Sequence, residues 1–236
     1  TAIFSKSGGS IGIGFSIPSN MVQTVVDSAE SGDTKIRRPW LGVQLQDVTP
    51  DLADSLGLAR PEGALIAKLH PDSPLAAAGL KRGDVIIGFE GRAIDSAQEF
   101  GFRVGTAKIG ETRIVEYRRN NEDFETRLHM VAAPESTPRD EWKITGDSPF
   151  QGMTVANLSP SVAEDVGMAA DATGVVVTAV DSGTAQRFFK KGDLLLLVNR
   201  KEIDTVKDLR DALADDQGRW SIAIERGGKQ IAVRFR

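Results

Sequence analysis

Trp40-Leu41-Gly42-Val43 opens a strand that runs on through Leu45, and the reading of the whole chain turns on it. The glycine permits a tight backbone turn and places no side chain over its own amides. Successive N–H groups in such a turn converge on one anion and form a nest for a carboxylate. The strand that follows then offers an edge to which an extended peptide adds itself. Alone, the pattern is common in ordinary strands. Its weight comes from a copy, Phe150-Gln151-Gly152-Met153, followed in the same way by Val155.

The copy sits in a copied context. Asp47-Val48-Thr49-Pro50 returns as Asn157-Leu158-Ser159-Pro160, and Leu56-Gly57-Leu58 as Val166-Gly167-Met168. Gly83-Asp84-Val85 returns as Gly192-Asp193-Leu194, and Ile94-Asp95-Ser96 as Ile203-Asp204-Thr205. The loop glycines lie 152 − 42 = 110 residues apart and the aspartates 193 − 84 = 109. An offset that steady means a duplicated domain. Within repeat one, Thr49 or Pro50 starts a short helix, 64–69 is a strand, and 74–78 is a second short helix stopped by Gly79. The run 85–89 reads as a buried strand, Ser96 caps a helix with Phe100 and Val104 on its core side, and two closing strands meet across Asn120-Asn121, a pair that tolerates positive φ. The expected division is a leading segment 1–32, a linker 33–39, repeat one at 40–131, a linker 132–148 rich in proline and charge, and repeat two at 149–236.

In the leading segment Ile11, Ile13, Phe15 and Ile17 alternate with small residues, which predicts a strand. Met21, Val22, Val25, Val26 and Ala29 then recur at helical spacing up to Gly32. So short a piece buries too little to stand alone and reads as the end of another domain. The totals narrow the function classes. With 29 basic and 33 acidic residues among 236, the chain lacks the basic footprint of a nucleic-acid binder. No apolar run reaches the roughly 18 residues of a membrane span, and Thr1 opens no basic-then-apolar leader. There is no cysteine, and no His/Asp/Glu cluster has metal-ligand spacing, so neither a metal nor another cofactor is expected.

Apolar-Leu-Gly-Val, the run Ser73-Pro74-Leu75-Ala76-Ala77-Ala78-Gly79-Leu80-Lys81-Arg82-Gly83-Asp84, and the Ile94-Asp95-Ser96 helix start together resemble a bacterial PDZ domain in the strand order of HtrA (Do-type) serine proteases. Gly9-Ser10-Ile11-Gly12-Ile13-Gly14-Phe15-Ser16-Ile17-Pro18-Ser19-Asn20 closely resembles the end of that family's protease domain. Nearly the whole chain is covered, although Gly174 to Phe189 departs from the Ser-Pro-Ala-apolar-Gly-Leu pattern. The fold class implied is mainly β with short helices (α+β): two small PDZ-type β-sandwiches or barrels behind a strand–helix remnant of a trypsin-like β-barrel. The resemblance implies a periplasmic parent, assembled as a homo-oligomer through its protease domains, whose ligands are C-terminal or unfolded peptide segments of envelope proteins.

The same resemblance places the family's nucleophile in a Gly-Asn-Ser-Gly-Gly segment before this sequence, with its His and Asp further upstream. Gly8-Gly9-Ser10-Ile11-Gly12 imitates a Gly-x-Ser-x-Gly elbow, but an elbow needs a strand before the serine and a helix after it, whereas here a strand follows. His129 alternates onto a polar strand face with Glu125 and Arg127, and His70 lies in a turn, so no hydrolysis is expected of this chain. Asp84 and Asp193 each follow a glycine at the start of a strand, where a carboxylate caps turn amides. Phe188-Phe189 takes the place of Gly79-Leu80 and fills either a ligand groove or the core.

For repeat one the expected ligand site is the amides of Leu41, Gly42 and Val43 on a terminal carboxylate, supported by Arg38. Trp40, Leu41, Val43 and Leu45 would meet the peptide along the strand, and Ala97 and Gly101 would face it from the helix. The matching positions of repeat two are Phe150, Gln151, Gly152, Met153, Val155, Val206 and Arg210, a narrower and less apolar groove. A different function class, an assembly device whose apolar surface lies away from the Gly42 loop, is equally compatible with the residues.

Overall fold

Each repeat takes its shape from the same local decisions, and the computed structural model, which describes residues 2–3, 14–15, 37–214 and 219–235, shows them made twice. The chain divides into two units, Thr1–Ala132 and Ala133–Arg236. In the first, β1 (Ala2–Ile3) pairs antiparallel with β2 (Gly14–Phe15). Gly14 and Phe15 fall within the strand expected over 11–17; the rest of that strand, the expected helix, and Ser10 with its imitation elbow lie outside the described residues. Next come β3 (Val43–Asp47), α1 (Pro50–Leu56), β4 (Ala64–Leu69), α2 (Pro74–Ala77), β5 (Val85–Phe89), β6 (Arg92–Ala93), α3 (Ala97–Gly105), β7 (Thr112–Arg119) and β8 (Glu122–His129). The antiparallel sheet runs β3-β4-β5-β7-β8, with β6 beside β5.

The second unit holds β9 (Trp142–Lys143), β10 (Met153–Asn157), α4 (Pro160–Val166), β11 (Val175–Val180), a 3-10 turn at Thr184–Arg187, β12 (Leu194–Val198), β13 (Lys201–Glu202), α5 (Val206–Ala214), β14 (Trp220–Arg226) and β15 (Lys229–Phe235). Its sheet runs β15-β14-β12-β11-β10-β9, with β13 beside β12. The mainly-β, α+β class is as the sequence predicts.

The caps explain the helices. Thr49 and Ser159 accept hydrogen bonds from Leu52 N–H and Val162 N–H, proline occupies the first turn of each helix, and Gly57 and Gly167 end them in the left-handed region. That is the usual asymmetry of a capped start and a glycine stop. Asn120 and Asn121, like Gly227 and Gly228, have positive φ and close the hairpins β7–β8 and β14–β15. Phe100 and Val104 are buried as expected, beside Leu75, Ile86, Val115 and Leu128. The second core gathers Phe150, Met153, Val155, Val177, Leu195, Leu209 and Trp220. Phe189 stacks on Phe150 at 5.5 Å inside that core, whereas Phe188 remains exposed.

The two aspartates at the strand starts are structural and better secured than turn chemistry alone requires. Asp84, almost fully buried, accepts from Lys81 N–H at 2.7 Å and from both Nε and Nη2 of Arg119 at 2.7 Å. Asp193, fully buried, accepts from Lys190 N–H at 2.8 Å and from Arg226 Nε and Nη2 at 2.6 Å. Each arginine also donates to a loop carbonyl, Gly79 in one unit and Phe188 in the other. A buried carboxylate is tolerable only when paired in this way. The hydrogen bond to the aspartate raises the guanidinium pKa of both arginines.

One boundary differs from expectation. Of the segment 132–148, expected as a linker, all but Ala132 is built into the second unit. Trp142 and Lys143 pair with Val155 and Thr154, and Ile144 is buried in the core. Arg139 binds Glu135 and Asp165, while Asn157 N–H donates to its carbonyl at 2.8 Å. The proline and charge that suggest a linker serve here to start a strand and anchor it.

Candidate functional site

In the first unit the loop before β3 is held from three sides. Trp40 N–H donates to Val131 C=O at 2.8 Å, His70 N–H donates to Gly42 C=O at 2.8 Å, and the Ser73 hydroxyl donates to Leu41 C=O at 2.5 Å. Ser73 also accepts from Leu75 N–H, so the N-cap of α2 doubles as a clamp on the loop. With the carbonyls of Leu41 and Gly42 tied back, their N–H groups have no backbone acceptor among the described residues. Gly42 has φ +58, and a Cβ there would come within 2.5 Å of the Trp40 ring. Trp40, expected to touch a ligand, instead turns inward, 8% exposed and edge-on to His70 at 5.5 Å. Its work is to support the glycine.

Past the loop, β3 stands at the edge of its sheet among the described residues, with β4 as neighbour on one side only. Leu41, Val43 and Leu45 are half-buried over the core, the condition of residues that floor an apolar groove. The start of α3 is fixed beside this strand because Ala97 N–H donates to Asp47 Oδ1 at 2.7 Å. Ala97 is half-buried, and Gly101, one turn further on, faces open space. The structure therefore packs Leu41, Val43, Leu45 and Ala97 against one core, with Gly42 in the loop between them and Gly101 exposed one turn further along α3. Arg38 is exposed on the segment leading into Trp40.

The second unit repeats the frame and fills it. Val206 N–H donates to Asn157 Oδ1 at 2.7 Å, matching the Ala97–Asp47 bond. Here, however, all three loop amides are spent: Gln151 N–H on Ser148 C=O at 3.0 Å, Gly152 N–H on Ile144 C=O at 2.9 Å, and Met153 N–H on Phe150 C=O at 3.1 Å. The free edge of β10 is taken by β9. Phe150, Met153, Val155 and Val206 are fully buried core residues. Arg210 binds Asp140 at 3.1 and 3.3 Å and lies over the Trp142 ring at 5.2 Å. The expected carboxylate site of repeat two is therefore not open in this arrangement, because the residues named for it are consumed by the fold and by β9. Sequence reasoning missed His70, Ser73, Asp140 and Trp142. The helix after Ser73 was legible, but the reach of the Ser73 hydroxyl to Leu41, 32 residues away, was not.

Among the described residues there is no group of acidic or histidine side chains able to hold a metal, and no helix is long and apolar enough to cross a membrane. A family model of the PDZ domain matches residues 39–130. The chain is similar to a probable periplasmic serine endoprotease, DegP-like, of Brucella suis, 35% identical over 95% of this chain and 44% of that protein. A protein of the same name from Marinomonas sp. is 36% identical over 99% of this chain and 50% of its own length. The chain thus spans about half the length of the curated relatives it matches. Among solved structures, the HtrA-type protease AlgW with a decapeptide is 36% identical, with 57% of this chain and 41% of that one covered at a TM-score of 0.42.

Proposed function

Because residues 39–130 are a PDZ domain and the chain belongs to the HtrA (Do-type) family, we propose that its first unit captures the C-terminal end of an extended peptide by strand addition to β3. The carboxylate lies on the N–H groups of Leu41, Gly42 and Val43, with Arg38 near enough along the chain to attract it. A hydrogen bond to a charged group of this kind is worth roughly 1.5–3 kcal/mol. The last apolar side chain lies between Leu41 and Val43 on the strand and Ala97 and Gly101 on α3. The observation that carries this reading is the edge of β3, unpaired among the described residues, beside a loop whose carbonyls are tied back while the Leu41 and Gly42 amides find no backbone acceptor there.

The relatives named as periplasmic serine endoproteases support a periplasmic parent that cuts proteins; the ligands proposed for it are unfolded segments of envelope proteins. In that parent this part binds and regulates, and the cutting residues belong to the protease domain; oligomer formation belongs there too. The test is titration of the chain with fluorescent peptides ending in Val, Leu or Phe, each with a free and an amidated terminus. Amidation is expected to weaken binding ten-fold or more, as is Gly101→Leu, which fills the groove from the helix. One aliphatic contact of roughly 1.5–3 kcal/mol corresponds to such a factor. Binding that ignores both changes would sink the carboxylate-loop reading and favour an assembly role.

A further inference from the structure

We propose that the second unit is a peptide site already holding an occupant from its own chain. The stretch from Arg139 to Ile144 lies along β10 where an added strand would lie. In its place the groove accepts an internal extended segment carrying an acidic residue two positions before an aromatic one. This rests on the strand-addition reading for the shape of the groove, and not on its carboxylate loop.

The occupant pairs along the length of β10. Asn157 N–H donates to Arg139 C=O at 2.8 Å, Trp142 and Lys143 stand opposite Val155 and Thr154, and Ile144 N–H donates to Met153 C=O at 2.9 Å. Its side chains meet the helix across the groove. One guanidinium, that of Arg210, binds Asp140 and covers the face of Trp142. A planar cation that takes a carboxylate on its edge and an aromatic ring on its face reads acid-x-aromatic as one unit. Gly101 holds the corresponding position in the first unit, so this recognition belongs to the second alone.

The spent loop amides define the ligand class further. Gln151, Gly152 and Met153 already donate to carbonyls of their own unit, so a free terminus gains nothing there and the acid is read by a side chain instead. The hold on the occupant is uneven. Ile144 is buried and anchors one end. The Asp140–Arg210 pair is 38% and 43% exposed, a setting in which ion pairs contribute little. Glu141 and Lys143 are exposed, and Trp142 is only half-buried. The span from Asp140 to Trp142 can therefore lift between two seated ends, Arg139 with its ion pairs to Glu135 and Asp165 and the buried Ile144.

The experiment uses the full chain and a fluorescent peptide of the sequence of residues 138–145, amidated at its C-terminus so that the first unit's carboxylate loop does not enter the readout. Wild type is expected to bind it weakly. Asp140→Ala with Trp142→Ala should bind at least ten-fold more tightly, Asp140→Ala alone by a smaller factor, and addition of Arg210→Ala should abolish the gain. Trp220 fluorescence reports whether the second unit stays folded. Three results would overturn the proposal: equal binding by wild type and double variant, no binding by a folded double variant, or loss of the second unit's fold on removing the two side chains. A gain that survives Arg210→Ala would overturn the ligand class. Failure here leaves the first unit's titration untouched, so the two readings fall separately.

Discussion

Gly42 and Gly91 have nearly the same backbone, φ +58 and +69, yet different surroundings. A Cβ at Gly42 would strike the Trp40 ring at 2.5 Å, whereas one at Gly91 would meet nothing within 4 Å. Comparing the two separates conformational strain from collision. Gly91→Ala should cost about 1 kcal/mol, the low end for a left-handed non-glycine residue. Gly42→Ala should cost roughly 2–4 kcal/mol, because overpacking against Trp40 adds to the strain. Urea unfolding followed by tryptophan fluorescence would measure both, and peptide affinity should fall only for Gly42→Ala. Equal costs would mean that Trp40 yields without effort and does not support the loop. The glycine itself was legible in the sequence. The inward turn of Trp40 was not, because a tryptophan beside a loop glycine gives no sign of which way its ring faces.

Local elements were the most readable, since their causes lie within a few residues of one another. The capped helices, the Asn120-Asn121 turn and the buried strand Val85–Phe89 all follow from nearby chemistry. What failed was the strand β9, two residues long inside a stretch of proline and charge, whose partner lies eleven or more residues away. Nothing in its own composition marks it as a strand, and only β10's unsatisfied edge calls for it. The helix α5 carries a prediction of its own. Thr205 N–H and its hydroxyl both donate to Asp208 Oδ2, at 2.8 and 2.7 Å, and Asp208 N–H donates back to Thr205 Oγ1 at 3.2 Å. These bonds, the Thr205 hydroxyl first, hold the Asp208 carboxyl below its usual 3.8. A depressed folded pKa means the contribution is fully present above the unfolded value and is lost as pH falls through the folded one. Asp208→Asn should therefore cost on the order of 1 kcal/mol at pH 7, as a lost cap does, with the gap to wild type closing below about pH 3.8. Acid titrations of the second unit's unfolding midpoint would check it, and a gap constant down to pH 2 would reject it.

The two units show how one duplicated frame arrives at two different states of the same groove. Asp47 and Asn157 fix the helix start in the same way, and both loop glycines turn the chain with positive φ, +58 at Gly42 and +86 at Gly152. They part at the edge strand: β3 has no neighbour on its outer side among the described residues, whereas β10 has β9. They part again at the loop, where only the second unit spends all three amides on its own carbonyls. Side-chain size, Ala97 and Gly101 against Val206 and Arg210, makes the first unit the expected stronger binder. The structure adds a separate reason to expect it, since Val206 is buried and Arg210 is engaged by the chain's own Asp140 and Trp142. Size comparison could not reveal this, because the occupying stretch lies before the repeat and has no counterpart in the alignment of the two copies. The outcome for the entire chain is a count. Calorimetry with a peptide ending in a free-carboxylate valine should give one site per chain, and Gly101→Leu should weaken that site ten-fold or more. Arg210→Ala should leave both stoichiometry and affinity for this peptide unchanged, because the second groove has no amides to offer a terminus. Two equivalent sites would show that β9 yields freely to a carboxylate-terminated strand and that the loop amides of Gln151, Gly152 and Met153 exchange partners to receive it.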